Sequence, residues 1–75
     1  MSQNYAYNFA EIDNATNMCV GVISTSAADE EGPTMGGTTY VPIPVYDVEY
    51  VMKYYIDGNW YEDAEGTIPW QSSLL

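Results

Sequence analysis

The sequence predicts a mainly β protein: a small antiparallel sheet of four to five short strands built from hairpins, with room for one short helical turn. Three observations lead there. Tyr5, Tyr7 and Phe9 alternate with Ala6, Asn8 and Ala10, the period of two that a strand imposes. Asp57-Gly58 stands between two β-prone runs, the pairing that a tight hairpin turn selects. Clusters of Asp, Asn, Gly and Pro separate the remaining apolar runs, as turn formers do.

The first strand is expected over residues 4 to 12, with Tyr5, Tyr7 and Phe9 on one face. Asp13-Asn14-Ala15-Thr16-Asn17 then supplies a turn, because Asp and Asn side chains bond nearby backbone and tolerate positive φ. Residues 18 to 25 form a second strand with Met18, Val20 and Val22 on one face. Gly21 weakens that strand and marks a bulge or a close backbone approach. The two strands make a hairpin with a loop of about five residues.

Residues 26 to 37 read as a loop, since their Gly, Pro and charged residues break both periodicities. Asp29-Glu30-Glu31 is its acidic centre. Residues 38 to 46 are extended. Pro42 and Pro44 cannot donate ladder hydrogen bonds, so this segment is an edge strand or polyproline-like. Residues 47 to 50 have room for the helical turn. In the last hairpin a two-residue loop at Asp57-Gly58 pairs Ile56 with Asn59, Tyr55 with Trp60, Tyr54 with Tyr61 and Lys53 with Glu62. That register matches rings with rings and a cation with an anion. Residues 64 to 75 form an irregular tail. Its Ile68, Trp70, Leu74 and Leu75 are expected to pack on the sheet or on a second subunit.

A chain of 75 residues allows a single domain with a small core. Such domains draw extra stability from disulfides, metals or partner subunits. Cys19 is the only cysteine and the chain has no His, so an internal disulfide and a closed zinc site are both excluded. A homodimer is therefore expected.

The charge balance is the most informative feature of the composition. Eleven Asp and Glu face one basic residue, Lys53, for a net charge of -10. Phosphate recognition needs Lys and Arg, so direct nucleic-acid binding is not expected. Anionic membranes would repel this surface. A basic protein surface would be attracted, while the plain alternative is that the charge keeps a small protein soluble. Residues 1 to 4 show no basic or apolar leader pattern, and no apolar run approaches the length of a membrane span.

Little in the sequence points to catalysis. There is no His, and no base accompanies Cys19, whose place within a strand suits a small buried hydrophobe. Paired carboxylates can hydrolyse glycosides, but so short a chain leaves little room for a cleft. Asp29-Glu30-Glu31 and Glu62-Asp63-Glu65 offer oxygen ligands without the spacing of a calcium loop. No catalytic residue, metal or cofactor is expected. Tyr54, Tyr55, Trp60, Tyr61 and Trp70 divide between a core role and an interface role.

Two segments carry a resemblance. They are Tyr7-Asn8-Phe9-Ala10-Glu11-Ile12-Asp13, followed by Met18-Cys19-Val20-Gly21-Val22, and the closing Tyr54-Tyr55-Ile56-Asp57-Gly58-Asn59-Trp60-Tyr61-Glu62. The layout resembles short orphan proteins of phages and prophages, some encoded near tail-fibre genes. The likeness covers under half of the chain and consists mostly of hairpin chemistry. It implies a viral source, and that class includes inhibitors of bacterial defence systems. The resulting expectation is an inhibitor in the host cytoplasm that binds a host protein with a basic surface. Asp29, Glu30, Glu31, Glu62, Asp63 and Glu65 would supply charge, and Trp60, Tyr61 and Trp70 the anchors. The alternatives are a virion or tail-associated accessory protein and a small carbohydrate-binding module.

Overall fold

The computed structural model describes residues 7 to 26 and 30 to 75. Residues 4 to 6 of the expected first strand, and Asp29 of the acidic loop, lie outside the described residues. The fold is mainly β and antiparallel, as the sequence predicts. The strands are β1 (Tyr7–Asp13), β2 (Cys19–Thr25), β3 (Gly32–Pro33), β4 (Thr38–Ile43), β5 (Tyr54–Ile56) and β6 (Asn59–Tyr61), with a 3-10 turn at Val48–Tyr50. One sheet has the order β2-β1-β4-β3, and β5 and β6 form a separate pair.

β1 and β2 reverse at Asp13, whose carboxylate accepts the Ala15 N–H at 3.0 Å and whose carbonyl accepts the Asn17 N–H at 2.7 Å. Asn17 takes the left-handed backbone (φ 66°) that Asn tolerates. The register runs from Tyr7 opposite Thr25 to Glu11 opposite Gly21, then slips so that Ile12 meets Cys19. Val20 is the extra residue. The bulge falls beside Gly21, as expected, and corrects the expected face: Met18, Val20 and Val22 do not line up. Cys19 and Val22 turn to the core, while Val20 is 45% exposed.

β1 is covered on both sides. Ala10 and Ile12 enter the main core with Cys19, Ile43 and Tyr50. Phe9, on the other face, is equally buried and packs toward Tyr40 with ring centroids 6.3 Å apart. The small residues of β1, and not its rings, therefore face the larger core, because Tyr50 and the tryptophans fill the space opposite them.

The loop expected over residues 26 to 37 contains β3, whose Gly32 and Pro33 pair with Tyr40 and Thr39. Two residues are too few for periodicity to reveal. The turn itself is held by Thr34, whose N–H donates to Thr38 O at 2.8 Å and whose Oγ1 accepts the Gly36 N–H at 3.1 Å. β4 lies between β1 and β3 in the strand order, but β3 reaches only Thr39 and Tyr40. Thr38 directs its main-chain groups toward β3, so by alternation Pro42 does so too. Its missing N–H faces the side where β3 has already ended, and the strand tolerates the proline as an edge would.

The second hairpin has the expected register: Tyr54 meets Tyr61, Tyr55 meets Trp60 and Ile56 meets Asn59. Asp57 and Gly58 have φ of 52° and 84°, as the tight turn requires. The ladder stops before Lys53 and Glu62. The Glu62 N–H instead donates to Ile68 O at 2.8 Å, and the Trp70 N–H donates to Trp60 O at 3.0 Å, so the tail runs beside β6. The tail reverses at Gly66 (φ 71°), where an added Cβ would stand 3.2 Å from Ile56 Cδ1. Asn17 to Cys19 join the hairpin to the sheet, with the Cys19 N–H donating to Lys53 O and the Met52 N–H to Cys19 O, both at 2.8 Å.

A candidate protein-interaction surface

Tyr50 organises the rings. It ends the 3-10 turn, which is capped by Asp47: the Asp47 carboxylate accepts the Glu49 N–H at 2.9 Å from an extended backbone (φ -147°). The cap directs Tyr50 inward, where only 2% of it stays exposed. Trp60 and Trp70 meet it edge-on, with centroids at 4.7 Å and 4.9 Å, and lie 6.4 Å from each other. Tyr55 joins Trp60 at 5.0 Å, as their cross-strand pairing dictates. Edge-to-face ring pairs contribute about 0.5–1.5 kcal/mol each beyond their buried area. Lys53 Nζ stands 4.9 Å over the Trp70 ring, so the single basic side chain is held by the cluster.

Burial raises the Tyr50 phenol pKa above its ordinary 10.0, and the Asp47 charge nearby raises it further. The folded state thus favours the neutral phenol. That contribution is complete below the ordinary phenol pKa and is lost as pH rises through the raised value. An ultraviolet titration of phenolate should show a step above the ordinary phenol pKa, together with loss of near-ultraviolet circular dichroism. Tyr50→Phe should remove the late step. A late step that persists in Tyr50→Phe contradicts the assignment.

The carboxylates divide into two groups. Asp13, Glu11, Asp47, Glu49 and Asp63 hold the fold together. Glu11 accepts from Thr38 Oγ1 at 2.8 Å and Glu49 from Ser73 Oγ at 3.1 Å. Asp47 accepts from the buried Ser72 hydroxyl, which fastens the tail to the 3-10 turn. Asp63 accepts from the Thr67 hydroxyl and from the Thr67 and Ile68 N–H groups, and these bonds, the Thr67 hydroxyl first, lower its pKa. The side chains of Glu30, Glu31, Asp57, Glu62 and Glu65 make no hydrogen bond or ion pair among the described residues, and all five are exposed.

The expected binding residues are therefore only partly brought together. Trp60, Tyr61, Glu62, Asp63 and Glu65 follow one another along β6 and its exit, and the tail adds Trp70. Glu30 and Glu31 precede β3, at the far end of the strand order. Trp60 and Trp70 are half-buried members of the core periphery. The large exposed apolar side chains are mainly aliphatic: Met35, Val48, Met52, Ile68, Leu74 and Leu75. Of the tail residues expected to pack on the sheet or on a second subunit, Trp70 packs within the chain, while Ile68, Leu74 and Leu75 do not pack on the sheet and are 53–60% exposed. The tail is fastened by polar bonds at Ser72 and Ser73, which leave these side chains pointing outward.

Cys19 is fully buried, and its thiol donates to Gly21 O at 3.2 Å. Burial pushes its pKa up, which disfavours the thiolate that nucleophilic chemistry requires. Among the described residues no three His, Cys, Asp or Glu side chains converge as metal ligands, and no helix is long and apolar enough to cross a membrane. Fold and surface define a small, acidic, antiparallel β protein with a ring cluster joining its two sheets. Comparison with known protein families, curated proteins and solved structures finds no match for the chain.

Proposed function

We propose that this chain is a non-catalytic binding protein that docks its free carboxylates on a basic surface of a host bacterial protein. The observation that carries this reading is the asymmetry of charge. Among the described residues Glu30, Glu31, Asp57, Glu62 and Glu65 project without internal partners, while the only basic side chain, Lys53, is turned onto Trp70. Such a surface accelerates encounter with a cationic partner and rejects anionic ones. Trp60, Tyr61 and Trp70 keep part of their area accessible and supply ring contacts beside Glu62 and Glu65. The likeness to small phage proteins supports a role as an inhibitor of a defence protein, acting in the host cytoplasm.

The test is affinity capture from bacterial lysate, followed by binding kinetics with the captured protein. Charge reversal at Glu30 and Glu31 should slow association about tenfold at low salt and progressively less as salt rises. Association that is indifferent to both the reversal and the salt counts against the proposal. Recovery of the chain in purified virions would favour the accessory-protein alternative.

A further inference from the structure

The outer edge of β2 has a distinct character. The Asp13 N–H donates to Met18 O on the β2 side, so the odd residues of β1 address β2 and the even ones address β4. Gly21, Ile23 and Thr25 accordingly exchange ladder bonds with Glu11, Phe9 and Tyr7. Val22 and Ser24 direct their N–H and C=O groups away from the sheet, and among the described residues nothing meets them. Farther back, Met52 and Lys53 already occupy the outer side of Cys19, and the Val20 bulge ends that contact.

Open edges are usually guarded by charge or proline. β2 reads Cys-Val-Gly-Val-Ile-Ser-Thr and has neither. We propose that β2 pairs antiparallel with β2 of a second copy of this chain, about a two-fold axis at Ile23. In that register Val22 of each copy exchanges both main-chain bonds with Ser24 of the other. Ile23 then meets Ile23 of the second copy, on the face that carries Phe9.

The occupant is chosen by charge. Two chains of net charge -10 repel each other over most of their surface, but in this register the five uncharged residues from Gly21 to Thr25 meet the same five of the second copy. A basic peptide would find no carboxylate on this strand to meet. The pairing also extends the sheet of a chain too short to bury a large core alone. It is independent of the docking role proposed above.

Sedimentation velocity of the full chain tests it. The expected mass is twice 8.4 kDa, with the dimer tightening between about 0.05 M and about 0.5 M salt as like charges are screened. Ser24→Pro removes an outward N–H and leaves the bonds of Ile23 and Thr25 to β1 in place. It should weaken the dimer at least about tenfold with an unchanged far-ultraviolet spectrum. Ile23→Cys should form a disulfide-linked dimer on mild oxidation, since the two Ile23 positions face each other, while the buried Cys19 stays reduced. A monomer at every concentration and salt overturns the proposal. So does a folded Ser24→Pro that dimerises like the parent, or an Ile23→Cys that fails to cross-link.

Discussion

Tyr50→Ala is expected to lower the stability of the chain by about 3–5 kcal/mol. Tyr50 is among the largest fully buried side chains and touches both tryptophans. Truncating a buried ring costs about 3–5 kcal/mol, through lost transfer energy and the cavity left behind. A chain of 75 residues has about 4–11 kcal/mol of total stability. The loss thus removes from about a quarter to all of it, and the two sheets lose the ring that both tryptophans meet. Tyr50→Phe is the control. The Tyr50 hydroxyl makes no hydrogen bond among the described residues, so its removal should change stability by less than about 1 kcal/mol. Urea denaturation followed by tryptophan fluorescence measures both. A cooperative transition for Tyr50→Ala near that of the parent would show that the ring cluster does not hold the fold.

Asp47→Ala should release the tail and lower stability by about 2–4 kcal/mol, because it removes a helix-turn cap and a charge-assisted bond to a buried hydroxyl. Asp47 accepts both the Glu49 N–H and the Ser72 hydroxyl, and Ser72 in turn accepts the Leu74 N–H at 3.1 Å. Ser72→Ala breaks the tail contact and keeps the cap, so its effect should be smaller. The double variant should cost less than the two single losses added together, since both remove the same bond. Hydrogen exchange at the Trp70 and Leu75 amides, which bond to Trp60 O and Ser72 O, reports tail release directly. Protection unchanged in Asp47→Ala would place the anchor of the tail elsewhere.

The legible parts of this protein were its local ones. Asp57-Gly58 determined a turn, a register and four cross-strand ring positions. Positive φ at consecutive residues admits few sequences, and the pleat then fixes which neighbours stand opposite one another. Asn17 marked the first reversal by its left-handed backbone and Asp13 by the bond its carboxylate accepts from Ala15 N–H, and Gly21 marked the bulge. β3 was not legible, since a strand of two residues has no period. The alternation in β1 put Tyr7 and Phe9 on one face, as the register has them, but alternation tells which residues share a side and not which side meets the larger core.

The candidate surface divides along the same line. Composition alone determined that eleven carboxylates outnumber one lysine, and with that the sign of any attractive partner. Which carboxylates remain free was decided by tertiary contacts: Asp63 and Asp47 look like Glu62 and Glu65 in the sequence, yet Thr67 and Ser72 reach them only once the chain has turned back. The same holds for the rings: Trp60 and Trp70 gather around Tyr50, and only the fold decides how much of each stays accessible. Charge is a sum over residues, so it is readable before folding. Exposure depends on which segments meet across the sheets, so it exists only after folding.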